Sequence, residues 1–193
     1  SVPVLWDKKT EKIVNNESAD IIRMFNTAFD HLTGNQQDYY PEELRAEIDI
    51  WNKEIYHNVN NGVYRAGFAK TQEAYDEAVN ALFATLDKLD AHLEDKDYLV
   101  GSRLSEADLR LIPTLLRFDI VYYGNFKTNL RRIIDYPNLS RYTAQLYAVD
   151  AVAKNHDFEH IKRHYYYSHQ DLNPYRIIPK GPEVFIKTAN GSG

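Results

Sequence analysis

The fold of this chain is decided by residues 103–139, RLSEADLRLIPTLLRFDIVYYGNFKTNLRRIIDYPNL. Ser105 is followed three positions later by Asp108, the spacing at which a hydroxyl and a carboxylate cap the start of a helix reciprocally. Apolar residues then recur at helical spacing, and Pro113 predicts a bend unless it lies in the first turns. Near the end of the stretch, Tyr136-Pro137 favours the start of another helix. The stretch therefore predicts consecutive helices.

Helical patterns extend in both directions from this stretch. Residues 71–94 begin with Thr71 and carry Ala, Leu, Phe and Tyr on one predicted face, and residues 41–59 begin with Pro41 and repeat apolar residues in the same way. A further helix is predicted at about 155–166. The first 33 residues differ from this helical pattern. There the sequence predicts two short strands, at 2–6 and 11–14, and a helix at about 18–30.

Composition excludes several functional classes. The 193 residues are 44% hydrophobic and 26% charged, as in ordinary globular proteins, with a net charge of −5. A basic face for nucleic acid is not indicated, and no window approaches the roughly 20 apolar residues that span a bilayer. There is no cysteine, which excludes a disulfide, a thiolate metal site and a thiol nucleophile within these residues. We expect neither a nucleic-acid nor a membrane partner.

Several segments, taken in order, resemble the glutathionyl-hydroquinone reductases, also called Xi-class glutathione transferases. The resemblance runs from Val2 to about Pro182 and rests on VPVLWDKK, NNESADIIRMFN, NNGVYRAGFA, the stretch quoted above and HYYYSHQDLNP. It implies a mainly α fold, in which an all-helical glutathione-transferase C-terminal domain follows a β-hairpin and a helix from the end of a thioredoxin-like domain.

The resemblance also implies boundaries and a missing nucleophile. Residues 1–33 correspond to the thioredoxin-like, glutathione-binding remnant, residues 40–168 to the helical domain, and residues 169–193 to an extended tail that ends in TANGSG. Family members begin with the first half of the thioredoxin fold, where the cysteine of a Cys-Pro-Trp motif is the nucleophile. We therefore expect this chain to be the C-terminal part of a longer enzyme and to be inactive alone.

The glutathione contacts implied by the resemblance lie near the start of the chain. A cis bond before Pro3 would turn the backbone of Val2 toward the cysteinyl part of glutathione, while Glu17 would bind the γ-glutamyl ammonium and Ser18 the γ-glutamyl carboxylate. The residues alone leave alternatives open. Pro3 also fits a trans proline in an edge strand, and Ser18 also fits a helix cap.

The catalytic residues implied by the resemblance are Tyr64 and Tyr165, which would face the aromatic substrate. Their hydroxyls would hydrogen-bond the hydroquinone oxygen and assist proton transfer to the ring carbon. The spacing of Gly62 and Gly67 predicts that Tyr64 lies in a bend after a long helix. From the residues alone, Tyr165–Tyr167 favours a packed aromatic cluster.

Three histidines, His156, His160 and His164, follow one another at intervals of four. On a continuous helix this spacing would place all three imidazoles on one face, which is compatible with a metal. Because there is no cysteine and no His-Glu-x-x-His arrangement, we predict a packed or solvated helix face and no metal.

Two functional hypotheses follow. In the first, the complete protein is a cytoplasmic, homodimeric reductase that uses glutathione as co-substrate, binds aromatic hydroquinone conjugates and transfers thiol groups through a cysteine outside this chain. In the second, the chain is a non-catalytic, transferase-like module that binds a ligand or a partner. The absence of a nucleophile favours the second hypothesis, and the resemblance to reductases favours the first.

Overall fold

The computed structural model describes residues 3–183, so Val2 and the C-terminal TANGSG lie outside the described residues. The chain divides into two compact units, Ser1–Ala46 and Glu47–Gly193. We refer to them as the N-terminal unit and the helical unit.

The N-terminal unit contains a β-hairpin and two helices. Strand β1 (Leu5–Asp7) pairs antiparallel with β2 (Lys12–Asn15), with an irregularity in register next to Leu5. Asp7 closes the turn, because its Oδ1 accepts from the backbone N–H of Lys9 at 2.8 Å and its Oδ2 accepts from the hydroxyl of Thr10 at 2.6 Å. The hairpin is followed by α1 (Ser18–Thr27) and α2 (Asp30–Thr33). The predicted helix at 18–30 therefore ends three residues early.

Much of the apolar surface of this unit is uncovered in the described structure. Exposed apolar side chains lie on, or next to, both strands and both helices: Val4, Trp6, Ile13, Val14, Ile22, Phe25, Phe29 and Leu32. Ile21 is the buried residue of α1. A two-stranded hairpin is marginal in water without a further packed layer, so these exposed apolar side chains are available for packing.

The boundary between the two units falls within the first turn of helix α3. A single 3₁₀ turn (Glu42–Leu44) leads into α3, and the remaining elements follow in order. They are α3 (Arg45–Glu54), a π-helical segment (Ile55–Asn60), α4 (Gly62–Gly67), α5 (Gln72–His92), α6 (Glu106–Arg117), a second π-helical segment (Phe118–Tyr122), α7 (Tyr123–Asn125), a 3₁₀ turn (Ile133–Asp135), α8 (Pro137–Tyr147), α9 (Asp150–Lys154) and α10 (Phe158–Ser168).

Helix starts are specified by local capping. Thr71 caps α5, and Ser105 with Asp108 forms the predicted reciprocal cap of α6, which also contains Pro113. Helix α8 begins at Pro137, and its first turn docks on α5, because Asp90 Oδ1 accepts from the backbone N–H of Leu139 at 2.8 Å. A carboxylate at the positive end of a helix is electrostatically favourable. Caps thus set both where α6 and α8 begin and how α8 meets α5.

The core of the helical unit is built from the apolar faces of α3, α5, α6 and α8. Its fully buried side chains include Ile48, Leu82, Leu86, Leu89, Leu111, Phe118, Leu139 and Tyr142. These positions repeat at helical spacing, which is why the periodicity of the sequence was sufficient to predict the helices. No helix within residues 3–183 combines the length and apolarity required to cross a membrane.

The histidine row does not occupy one helical face. His156 lies between α9 and α10, where its Nδ1 is 2.7 Å from the carbonyl oxygen of Val152. Helix α10 begins after Asp157, whose Oδ1 accepts from the backbone N–H of His160 at 2.9 Å, so only His160 and His164 lie on it. The expectation of three aligned imidazoles is wrong because this cap starts a new helix. Within residues 3–183, no group of three side chains is placed to hold a metal ion.

Candidate functional site

Tyr64 is positioned by the first π-helical segment. The segment is tied to α6 by Asn60, whose Nδ2 donates to the carbonyl oxygen of Arg110 at 3.1 Å and whose Oδ1 accepts from the hydroxyl of Thr114 at 2.8 Å. Tyr64 then lies within α4 and not in a bend, so the expected bend is wrong: the chain continues as helix after the extra residue of the π turn. Such turns are frequent at functional sites.

Three tyrosine hydroxyls meet in the helical unit. The hydroxyl oxygens of Tyr64 and Tyr165 are 2.5 Å apart, and those of Tyr122 and Tyr165 are 3.0 Å apart. Tyr64 and Tyr165 were predicted from the sequence, and the structure brings them into direct hydrogen-bond contact. We call the three residues the tyrosine cluster.

Sequence reasoning missed Tyr122. It lies in the second π-helical segment and is 2% exposed. The sequence around it, VYYGNF, contains adjacent aromatic residues of which several are core residues. Nothing local distinguishes the tyrosine whose hydroxyl reaches Tyr165, since that contact joins residues 43 positions apart.

Phe126 holds the cluster together. Its ring centroid lies 5.2 Å from that of Tyr64, 5.2 Å from that of Tyr122 and 5.9 Å from that of Tyr165. The backbone of α4 approaches this ring so closely that a Cβ on Gly67 would lie 2.4 Å from Phe126 Cγ. The glycine at position 67 therefore allows the close approach that brings Tyr64 against the cluster.

The members of the cluster differ in exposure. Tyr64 is 38% exposed, whereas Tyr165 is 8% exposed. Burial, followed by the hydrogen bond to Tyr165, raises the pKa of Tyr64 well above its ordinary value, and burial raises the pKa of Tyr122 further. Both hydroxyls therefore remain protonated at neutral pH and can donate a hydrogen bond.

The two tyrosines next to Tyr165 take other positions. Tyr166 is half-buried, and burial raises the pKa of its hydroxyl. Tyr167 is exposed, and the guanidinium of Arg176 lies over its ring at 4.6 Å and donates to its hydroxyl at 3.0 Å. Only Tyr165 of this run joins the tyrosine cluster.

The predicted glutathione contacts that the structure describes belong to the N-terminal unit. Pro3 is exposed just before β1, and Glu17 and Ser18 are exposed at the start of α1. Glu17 is the capping residue, since its Oε1 accepts from the backbone N–H of Ala19 at 3.3 Å, while the hydroxyl of Ser18 donates to the same oxygen at 3.4 Å. Ser18 therefore does not cap the helix. The glutathione-binding role of these residues stays a prediction.

Comparisons with known proteins identify the relatives of this chain. Residues 72–145 match the family described as the glutathione S-transferase C-terminal domain. Glutathionyl-hydroquinone reductase PcpF from Sphingobium chlorophenolicum is 55% identical over 182 residues, which cover 94% of this chain and 58% of PcpF. The crystal structure of glutathione S-transferase Xi from Phanerochaete chrysosporium is 56% identical, with a TM-score of 0.92 over 94% of this chain and 63% of that one.

This chain is a homologue of the Xi-class glutathione transferases. A glutathione-bound member of the same fold, YqjG from Escherichia coli K-12, matches 99% of the chain at 51% identity and a TM-score of 0.95. The predicted fold, a hairpin and helix followed by the all-helical transferase domain, is confirmed. The chain spans 58% of the length of PcpF and 62% of that of the YqjG structure. The domain boundaries predicted from the Xi-class resemblance stay predictions.

Proposed function

We propose that this chain is part of a glutathione-dependent reductase that converts glutathionyl-hydroquinones into hydroquinones. The observation that carries the proposal is the hydrogen-bonded pair of Tyr64 and Tyr165, whose hydroxyl oxygens are 2.5 Å apart, in a homologue of a protein named glutathionyl-hydroquinone reductase. Two phenol groups beside each other suit a reaction in which one oxygen of an aromatic ring is bound while a ring carbon is protonated.

The proposed reaction consumes one glutathionyl-hydroquinone and one further molecule of glutathione. A cysteine thiolate outside these 193 residues attacks the sulfur of the conjugate, so that an S–S bond forms and the bond from sulfur to the ring carbon breaks. The ring carbon takes a proton, and hydroquinone leaves. A second glutathione, as thiolate, attacks the mixed disulfide, releasing glutathione disulfide and restoring the cysteine. Overall, the conjugate is reduced and two glutathionyl sulfurs are oxidised to a disulfide.

The tyrosine cluster supplies the proton. Tyr64, the more exposed member, hydrogen-bonds the hydroquinone oxygen, and Tyr165 donates its proton toward the ring carbon as the C–S bond breaks. The negative charge then left on Tyr165 accepts hydrogen bonds from Tyr64 and Tyr122, which lie within 2.5 and 3.0 Å. Hydrogen bonds to a charged oxygen are stronger than those between neutral groups. The cluster therefore stabilises the Tyr165 anion until solvent returns a proton to it.

The N-terminal unit supplies the glutathione contacts in this proposal. Glu17 binds the γ-glutamyl ammonium, Ser18 and the first turn of α1 bind the γ-glutamyl carboxylate, and Val2 and Pro3 pair with the cysteinyl backbone. A helix start offers free N–H groups and the positive end of the helix dipole, which suits a carboxylate. The complete enzyme is proposed to be a cytoplasmic homodimer without a metal, and the 193 residues alone are proposed to be inactive.

The test compares Tyr165→Phe with Tyr167→Phe in the complete protein. Removing the proton donor is expected to lower kcat by about 10²-fold or more, in the range of general acid catalysis, with little change in glutathione affinity. Tyr167→Phe, which alters an exposed neighbour outside the cluster, is expected to retain activity. An unchanged rate in Tyr165→Phe would eliminate the proton-donor role.

The absence of cysteine favours one alternative, a non-catalytic module that binds ligands or a partner. The two proposals differ in what lies upstream of Ser1 in the gene. An in-frame Cys-Pro-Trp segment and a native mass well above that of 193 residues support the reductase. A start codon at this point, with a native mass matching the chain, supports the binding module. Glutathione-dependent reduction by the 193 residues alone would contradict both.

A further inference from the structure

A cavity of about 380 Å³ opens beside the tyrosine cluster, entirely within the helical unit. Its walls include Arg117 at the end of α6, His160 and His164 from α10, and Tyr165. Ligand pockets in proteins start at roughly 300 Å³, so this space holds one small group or ring and not a larger ligand. Tyr165 belongs both to the cavity and to the cluster, so the two are adjacent.

One guanidinium and one carboxylate line the cavity, those of Arg117 and Asp157. Arg117 is half-buried, and its Nη1 donates to the carbonyl oxygen of Pro113 at 2.7 Å. Among residues 3–183, no acidic side chain forms an ion pair with it. Asp157, the acid on the cavity wall, instead caps α10 by accepting from the backbone N–H of His160. A guanidinium is always charged and offers five N–H donors, of which a carboxylate accepts two side by side.

Two imidazoles, those of His160 and His164, also line the cavity. An imidazole can donate a hydrogen bond from a ring nitrogen. The charge of Arg117 also reaches the cluster, since it opposes in part the rise in the pKa of Tyr64 that burial causes. The cavity thus places a cation, hydrogen-bond donors and the proposed proton donor around one small volume.

We propose that this cavity binds a carboxylate carried by the aromatic part of the substrate, with Arg117 as its main contact. The substrates would then include hydroquinones that bear a carboxylate on the aromatic ring as well as hydroquinones without a charged substituent. The inference rests on the proposed function for the reaction itself, but binding of the acid is measurable without turnover.

The test uses a hydroquinone that bears a carboxymethyl group on its ring and the methyl ester of the same compound. Binding of both compounds to this chain is measured by calorimetry, and turnover of their glutathionyl conjugates is measured with the complete protein. The variants are Arg117→Gln, Arg117→Lys and Arg163→Gln. Arg163 is the matched control, because it is a cation of α10 that lines the neighbouring depression and not this cavity.

We expect the wild type to bind the acid at least tenfold more tightly than the ester, a ratio typical of a charge-assisted hydrogen bond. Arg117→Gln should abolish this preference, Arg117→Lys should retain part of it, and Arg163→Gln should leave it unchanged. Equal binding of acid and ester by the wild type, failure of both to bind, or a preference that survives in Arg117→Gln would overturn the inference. A preserved preference in binding without turnover of either conjugate would refute only the proposed reaction.

Discussion

Asp108 is the buried acceptor that joins α6 to two other parts of the helical unit, and replacing it with alanine should severely destabilise that unit. The side chain is fully buried. Its Oδ2 accepts from the backbone N–H and the hydroxyl of Ser105, at 2.8 and 2.7 Å. Its Oδ1 accepts from the backbone N–H of Leu99 at 2.8 Å and from the hydroxyl of Tyr142 at 2.7 Å.

The magnitude follows from the donors that Asp108→Ala leaves behind. The N–H groups of Leu99 and Ser105 and the hydroxyls of Ser105 and Tyr142 belong to buried residues and would lose their acceptor. Each unsatisfied buried donor costs about 1–3 kcal/mol, so the free energy of unfolding should fall by about 4–12 kcal/mol. Whole domains are stable by only about 5–15 kcal/mol. By contrast, Ser105→Ala removes one side-chain donor of the helix cap and should cost about 0.5–2 kcal/mol.

Urea unfolding followed by far-ultraviolet circular dichroism measures the difference, with the slope against urea checked for constancy. If Asp108→Ala does not fold, Asp108→Asn provides a second measurement. Its amide oxygen can still accept from Leu99 and Tyr142 while its NH₂ group faces the donors of Ser105, so an intermediate loss is expected. Asp150→Ala is the control, because this exposed acid pairs only with Lys154 and should change stability by about 0.5 kcal/mol or less.

A loss for Asp108→Ala no larger than that for Ser105→Ala would refute the reasoning. It would mean that the bonds to Leu99 and Tyr142 contribute nothing and that the residue acts only as a local cap.

Two further predictions concern the tyrosine cluster. Gly67→Ala should lower stability by about 1–3 kcal/mol, because its Cβ would lie 2.4 Å from Phe126 Cγ, whereas Gly62→Ala, whose Cβ meets Leu82 at 3.8 Å, should be tolerated in thermal unfolding. In wild type, stability should fall above about pH 10, because burial raises the folded pKa of Tyr122 and the unfolded chain loses this proton first. Tyr122→Phe should reduce that fall, and equal pH slopes would contradict it.

Local features made the helical architecture predictable. The cap formed by Ser105 and Asp108, the cap at Thr71 and the proline that starts α8 act within a few residues, so the sequence alone shows them. The helical spacing of apolar residues also predicted which face of each helix is buried. Both kinds of signal involve neighbours along the chain, and they placed α5, α6 and α8 close to their observed positions.

The candidate site was predictable only in part. Tyr64 and Tyr165 came from the resemblance to Xi-class transferases, since one tyrosine among 15 has no local mark of function. Tyr122 was missed because its hydroxyl acquires its role from Tyr165, which lies far along the chain. The π-helical turn before Tyr64 was missed because an extra residue in a helix changes the direction of side chains without changing composition.

The sequence by itself determined the helices and their caps, because capping and periodicity act between residues a few positions apart. Only the tertiary structure decided which buried groups share a hydrogen bond. Asp108 is a helix cap in the sequence and a connection to Tyr142 in the fold. Arg117 is one cation among many in the sequence and the charged wall of a cavity in the fold. Contacts of this kind depend on how helices pack, and packing is a property of the whole core.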